Sequence, residues 1–247
     1  MSDPPIHEES RDRAGEWFVP TFGPPIFRRS IGLLFLPYTG MVLAYTVIGS
    51  MLAQDIYWDR VIAIVVIYFL ALGIGAHALD ALGSSGVKPW GTAFSSRSLW
   101  VLTISSVSLA YAIGIYYMWW YTPLLWLIAI PEGFYLLAYN LEWFNGRFHT
   151  DGWFAFSWGT LPVLAGYILQ TNSLSLGAFL ISGSMGLLSL VEIKASRPYK
   201  ELKRIEPDEP GLDLREKQIR RLEGILKSIS LGVILLGLGL LTWRLSQ

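Results

Sequence analysis

Two ionisable side chains stand close together at the end of a long apolar stretch. His77 and Asp80 are three residues apart within the segment from Gly73 to Thr92, which ends in a loop containing glycine, serine and lysine. On a helix this spacing puts both side chains on one face, where they can hold a common ligand, metal ion or proton. Such groups in a membrane helix are costly and usually functional, although a His/Asp hydrogen bond joining two helices explains the pair equally well.

Comparable polar residues end two later apolar segments. Asn140 and Glu142 follow one of them, and Glu192 and Lys194 end another. Asp80 and Glu192 both fall near the last turn of a helix, as a shared site for a hard divalent cation such as Mg²⁺ requires. Cationic side chains that could bind a diphosphate follow in the adjoining loops. They are Lys88, Arg97 and Arg197.

One predicted helix carries a polar stripe through the bilayer. Glu132, Tyr135, Tyr139 and Glu142 are spaced at i, i+3, i+7 and i+10, so they share one helix face. We expect this face to point into the bundle, with Glu132 contacting a ligand near mid-membrane. Tyr135, Tyr139 and Asn140 are predicted to help bind the substrate.

The elements that position these groups are membrane helices. Of the 247 residues, 53% are hydrophobic and only 15% are charged, which is typical of an integral membrane protein. We predict an all-α, polytopic bundle of about seven transmembrane helices over residues 31–247, preceded by an interfacial arm over residues 1–30. The predicted spans are Ile31 to Ala53, Val61 to Leu82, Leu99 to Trp120, Thr122 to Leu141, Gly152 to Leu169, Leu174 to Ile193 and Gly224 to Trp243.

The distribution of charge predicts the orientation of the bundle. Basic residues concentrate in the arm, in alternate connections and in the segment 194–223, whereas the opposite side keeps only Arg60 and Arg244. The positive-inside rule then puts the amino terminus in the cytoplasm and the carboxyl terminus on the other side. Residues 213–222 are expected either to form an amphipathic helix on the membrane surface or to be a solvated connector. With no cysteine, thiolate chemistry is excluded.

The order of these motifs resembles the UbiA superfamily of intramembrane aromatic prenyltransferases. The resemblance rests on basic residues before the first span, His77 to Asp80 at the end of the second, Lys88-Pro89 where the family has Arg-Pro, and Gly159 to Gly166 with its Gly-x-x-Pro pattern. It implies a UbiA-like bundle that binds a polyprenyl diphosphate with Mg²⁺. His77 and Ser84 occupy positions where the family has carboxylates, which leaves one carboxylate, Asp80, in the first motif.

Two main hypotheses of function follow. In the first, the protein transfers a prenyl group, with Asp80, Glu192 and His77 as catalytic residues and Asp80 and Glu192 as metal ligands. In the second, the fold is kept without catalysis, as a subunit that binds a lipid, quinone or pigment or scaffolds other membrane subunits. A transition-metal site built from His77, Asp80, Glu142, His149 and Glu192 is a third, weaker alternative. The expected partners are a membrane lipid or isoprenoid, and not nucleic acid.

Overall fold

The computed structural model describes residues 13–82, 90, 93–204 and 212–247, and these residues form a bundle of helices with no β-strand among them. The predicted all-α class is therefore confirmed. The helices are α1 (Pro25–Leu33), α2 (Leu36–Met51), α3 (Trp58–Tyr68), α4 (His77–Leu82), α5 (Ser96–Trp120), α6 (Trp126–Asn140), α7 (Asp151–Ala155), α8 (Leu161–Thr171), α9 (Leu176–Arg204) and α10 (Leu212–Leu245). Two π-helical segments, π1 (Phe69–Ala76) and π2 (Phe156–Thr160), join α3 to α4 and α7 to α8.

Six helical segments in the described part of the chain are long and apolar enough to cross a bilayer. Large apolar side chains such as Ile62, Leu187 and Leu235 remain exposed on the outside of the bundle, as contact with lipid allows. These are the features of an integral, multi-pass membrane protein. The six segments are Pro25–Met51, Trp58–Leu82, Ser96–Trp120, Asp151–Thr171, Leu176–Arg204 and Asp213–Leu245.

The fourth predicted span is shorter than expected. Thr122 to Leu141 forms a 3-10 turn followed by α6, which has 15 residues. At 1.5 Å per residue α6 is about 23 Å long, less than the ~30 Å hydrocarbon core. It nevertheless runs beside the segment from α7 to α8, because Leu124 donates to Asn172 Oδ1 at one end and His149 Nδ1 lies 3.0 Å from the Tyr139 carbonyl oxygen at the other.

Three predicted boundaries were wrong for local reasons. The first helix starts at Pro25 rather than residue 31, since a proline at the first helical position loses no hydrogen bond. The sixth span continues past Ile193 to Arg204 through Pro198. The last span does not start at Gly224, because residues 213–222, expected to be an amphipathic surface helix or a solvated connector, form the first part of the continuous helix α10.

The centre of the bundle is the close crossing of α2 and α8. Most of α2 is buried, and Ser50 Oγ reaches the Gly166 carbonyl oxygen at 3.4 Å. Gly166 lies directly against the α2 backbone at Thr46 and Ser50, so the two helices touch where neither has a side chain in the way. Small residues at a crossing are the usual means of joining membrane helices closely.

The two ends of the bundle differ in charge. We call the end that contains Asp80, residues 141–150 and Lys200 the basic end. The opposite end, which we call the far end, contains Met51 and Asn172. Both arginines expected on the less basic side serve as helix caps there. Arg60 donates to the carbonyl oxygens of Leu169 and Gln170 at the end of α8, at 3.1 Å each. Arg244 donates to the carbonyl oxygens of Met51, the last residue of α2, and of Ala53 just after it.

We expect Arg244→Met to destabilise the bundle. The substitution leaves carbonyl oxygens at the end of α2 without their charged donor, and such hydrogen bonds contribute about 1.5–3 kcal/mol. The free energy of unfolding in mixed detergent micelles should fall by that amount. Arg221→Met, at an exposed position of the same helix, is the matched control and should leave it unchanged. Equal effects of the two substitutions would contradict the capping role.

Candidate functional site

Phe35 occupies a strained position at the basic end, in the break between α1 and α2. Its backbone is left-handed, with φ 48° and ψ 57°. This conformation is unfavourable by about 1–3 kcal/mol for a bulky residue and persists only when its surroundings enforce it. The Phe35 ring packs against those of Phe18, Tyr38 and His77, with centroids 4.5, 5.1 and 5.4 Å away. Packing therefore fixes an otherwise disfavoured backbone at the point where three segments meet.

Two cations lie over the same ring. The Arg13 guanidinium carbon and Lys200 Nζ are each 5.2 Å from the Phe35 ring centroid, a distance at which a cation is attracted to an aromatic face. Lys200 Nζ is also 5.8 Å from the Tyr38 ring. Among the described residues no carboxylate lies within 4.0 Å of Lys200, and none accepts a hydrogen bond from it. The half-buried ammonium group therefore lies over aromatic rings without a close ion pair to any described carboxylate.

Several buried polar atoms here lack a hydrogen-bond partner within the described part of the chain. They are Arg13 Nη1, Tyr38 Oη and His77 Nε2, all belonging to residues in contact with Phe35. Buried polar atoms in folded proteins are normally paired with protein groups, water or a ligand, so a group of unpaired ones is a candidate binding site. We call Arg13, Tyr38, His77 and Lys200 the donor cluster. Since each can donate, His77 when Nε2 carries the proton, their natural complement is an anion with several oxygens, such as a phosphate.

An aromatic wall continues from the donor cluster towards the bundle interior. The His77 ring lies 5.3 Å from Trp158, and Trp158 stacks on Phe154 with centroids 5.3 Å apart and planes 12° apart. We call Phe35, Phe154 and Trp158 the aromatic wall. Its faces are apolar and electron-rich, so they can pack against a hydrocarbon chain or stabilise a developing positive charge.

Both π-helical segments contribute directly to this arrangement. π1 ends immediately before His77, and π2 contains Trp158. A π turn inserts an extra residue and rotates everything after it, and such turns concentrate at functional sites. The backbone loosened in π1 is supported from α5, where Thr103 Oγ1 donates to the Gly75 carbonyl oxygen at 3.4 Å.

The two predicted metal ligands each lie near a cation instead. The Asp80 side chain is 44% exposed, with Oδ2 3.9 Å from Arg13 Nη1. Glu192 is buried and lines a small cavity together with Tyr38, Ser196 and Lys200. Mg²⁺ takes six oxygen ligands in octahedral geometry, and waters and substrate phosphates commonly supply most of them beside one or two carboxylates. The described residues contain no group of three or more acidic or histidine side chains that could hold a metal ion.

Arg197 belongs to a second group beside the donor cluster. Its Nε lies 2.7 Å from Asp151 Oδ1, and its Nη2 donates to the His149 carbonyl oxygen at 3.4 Å. The His149 ring in turn stacks on Tyr139, with centroids 4.4 Å apart. The loop leading to this group has left-handed backbone at Glu142, Phe144 and Asn145. Arg197 is therefore already engaged in holding α9 to the start of α7.

The other predicted binding residues do not join the donor cluster. Arg97 is exposed in the first turn of α5, and Asn140 Nδ2 donates to its own helix at Leu136. Tyr135 stacks on Trp153, and Glu132 accepts from Tyr68 in mid-bundle. Because α6 ends at Asn140, Glu142 is not on the helical stripe that was predicted to include it. Lys88 lies outside the described residues.

Three members of the donor cluster were missed from the sequence. Arg13 sits in a polar arm, Tyr38 in an apolar run and Lys200 among many basic residues, so none stands out by type. The positive φ of Phe35, which brings the arm against α2, has no sequence signal because the residue is not glycine. Pro198 also argues against a helix that reaches Lys200, because proline usually ends or kinks a helix, and yet α9 continues through it to Arg204.

Comparisons with models of known protein families, with curated proteins and with solved structures find no match to this chain. Its function is therefore inferred from the geometry of its own side chains.

Proposed function

We propose that this protein binds a polyprenyl diphosphate at the donor cluster and transfers the prenyl group to an aromatic acceptor, as a divergent UbiA-like membrane protein. The observation that carries the proposal is the set of unpartnered donors around Phe35. Diphosphate oxygens would accept from Arg13 Nη1, Tyr38 Oη and His77 Nε2, which have no hydrogen-bond partner among the described residues, and from Lys200 Nζ. The prenyl chain is expected to pass along the aromatic wall and between the helices into the lipid.

The same residues are suited to ionisation of the allylic carbon–oxygen bond. As this bond breaks, its electron pair leaves with the diphosphate, whose growing negative charge Arg13 and Lys200 stabilise. The allylic carbon becomes positive and is stabilised by the faces of Phe154 and Trp158. A carbon of the acceptor ring then bonds to it, and the ring loses a proton to a carboxylate such as Glu192, which lines the same cavity as Tyr38 and Lys200.

The orientation of the bundle forms part of the proposal. The basic end carries the donor cluster, the arm and the positively charged end of α9. By the positive-inside rule this end faces the cytoplasm, so the diphosphate would enter from that side. Counting α6 as a crossing gives seven passes and puts the carboxyl terminus on the opposite side.

A non-catalytic role is the second candidate. It is favoured by the positions of Asp80, which lies near Arg13, and of Glu192, which shares a small cavity with Lys200, because each carboxylate already has a cation close by. In that case the protein binds an isoprenoid phosphate without consuming it and presents it to another membrane subunit.

Equilibrium binding to protein in lipid nanodiscs tests the proposal. We expect geranylgeranyl diphosphate to bind at least ~10-fold more tightly than geranylgeraniol, which has the same chain but no charge for the donors to bind. Equal affinities would overturn the proposed site. Incubation with the labelled diphosphate and a lipid extract of the source cells then separates the two candidates. Release of diphosphate with formation of a prenylated product supports transfer, whereas binding without turnover supports the non-catalytic role.

A further inference from the structure

A second cavity lies in the middle of the bundle, away from the donor cluster. It has a volume of about 70 Å³ and is lined by α3, π1, α5, α6 and α8. Aliphatic side chains form nearly all of its surface, and it shares no residue with the donor cluster. A single buried water occupies roughly 10–15 Å³ on this measure, so the cavity is large enough for part of an organic molecule.

One polar group stands out in this apolar lining. Glu132 Oε1 accepts a hydrogen bond from Tyr68 Oη at 2.7 Å. Glu132 Oε2 is buried and has no partner among the described residues. The third polar side chain of the cavity, Tyr111, donates to the Ala129 carbonyl oxygen at 2.8 Å, so its hydrogen is already engaged. A carboxyl oxygen left unpaired at mid-membrane is costly, and such groups typically mark a binding site.

The cavity borders the lipid-facing surface between α5 and α6. Tyr111, Ala129 and Gly133 line it and are only half-buried. Gly133 allows α6 to lie close to Tyr111 of α5, because the Tyr111 hydroxyl group occupies the space that a Cβ atom of residue 133 would need. A molecule dissolved in the bilayer would approach Glu132 from this side, without passing the basic end.

We infer that this cavity binds a neutral, membrane-soluble molecule whose hydroxyl group donates a hydrogen bond to Glu132 Oε2. An Oε2 atom without a proton can only accept, so a hydroxyl group satisfies it whereas a carbonyl or ether oxygen cannot donate to it. The apolar remainder of the ligand fills the space between Leu72, Ile128 and Leu136. Phenols and isoprenoid alcohols share this chemistry, and either can supply the hydroxyl group.

Matched pairs of probes test the inference in nanodiscs. One pair is 4-propylphenol and its methyl ether, and the other is farnesol and farnesyl methyl ether. In each pair only the first member can donate a hydrogen bond. We expect at least one of the two hydroxyl compounds to bind ~10-fold more tightly than its ether, and the pair that discriminates identifies the ligand as a phenol or an alcohol. Equal affinity within both pairs overturns the inference. So does the absence of saturable binding by every probe, which is the result expected if only water fills the cavity.

Glu132→Gln provides a second, independent test. In this variant the side-chain carbonyl oxygen at position 132 can still accept from Tyr68, while the new amide group donates into the cavity. The preference within the discriminating pair should therefore shrink or reverse in favour of the ether. Glu201→Gln, which changes an exposed acid on α9, is the matched control and should keep the preference of the unmodified protein. An unchanged preference in a folded Glu132→Gln variant contradicts the assignment of Glu132. Neither outcome depends on binding of a diphosphate at the basic end.

Discussion

Lys200→Met is expected to weaken the binding of geranylgeranyl diphosphate by about 10- to 150-fold. The substitution removes a charged donor to the diphosphate, and such hydrogen bonds contribute about 1.5–3 kcal/mol. It keeps a long apolar side chain that can still cover the rings of Phe35 and Tyr38. Titration of the labelled diphosphate into protein in nanodiscs measures the change.

Although Lys200→Met should weaken binding, it should not lower the unfolding temperature of the protein. In the unliganded protein Lys200 has no carboxylate within 4.0 Å among the described residues, so its desolvated charge is not compensated by a close ion pair. Removing an uncompensated charge from a half-buried position usually stabilises a fold. We therefore expect Lys200→Met to unfold at the same temperature as the unmodified protein, or higher. Lys194→Met, an exposed position on the same helix, should change neither property. A loss of binding that is matched by a loss of stability would indicate a structural role for Lys200 instead.

Gly166→Ala is expected to disrupt the crossing at the centre of the bundle. The added methyl group would collide with the Thr46 carbonyl oxygen and crowd the backbone nitrogen of Ser50. These are backbone atoms of α2, so they can give way only if one helix moves. Overpacking of this kind costs about 1–3 kcal/mol, and here it also strains the weak bond from Ser50 Oγ to the Gly166 carbonyl oxygen. Unfolding in mixed micelles should show a loss of stability within or above that range.

Gly183→Ala is the matched control for this substitution. Gly183 is exposed on α9, and, apart from the adjoining residues of its own helix, no atom lies within 4 Å of the position that its Cβ would take. Alanine also favours a helix more than glycine does, so stability should stay the same or rise slightly. If both alanine variants unfold alike, the close contact of α2 with α8 is not what stabilises the centre of the bundle.

The helices were largely predictable because lipid imposes a simple pattern. A run of about 20 apolar residues is a strong signal, and the second and third spans end at Leu82 and Trp120 as expected. The errors fall at helix ends, where the apolar pattern stops before the helix does. α9 continues through Pro198, because the carbonyl oxygen that this proline leaves unpaired belongs to the exposed Lys194, where water can satisfy it.

The site was only half predictable because it depends on contacts distant in the sequence. The sequence analysis singled out His77, Asp80 and Glu192 because a polar residue stands out in an apolar helix. Arg13 and Lys200 were missed, although both lie 5.2 Å from the Phe35 ring centroid. Their position depends on the left-handed turn at Phe35 and on the length of α9, and neither feature can be deduced from residue type alone.

A structure of the protein with a thiolo analogue of geranylgeranyl diphosphate tests the central claim most directly. The analogue resists cleavage of the bond to the diphosphate, so the bound state can be observed. We predict that its phosphate oxygens lie within hydrogen-bond distance of Lys200 Nζ and Arg13, with the first isoprene units against Trp158. A diphosphate bound elsewhere, with Lys200 Nζ still over the Phe35 ring, would contradict the assignment of the donor cluster.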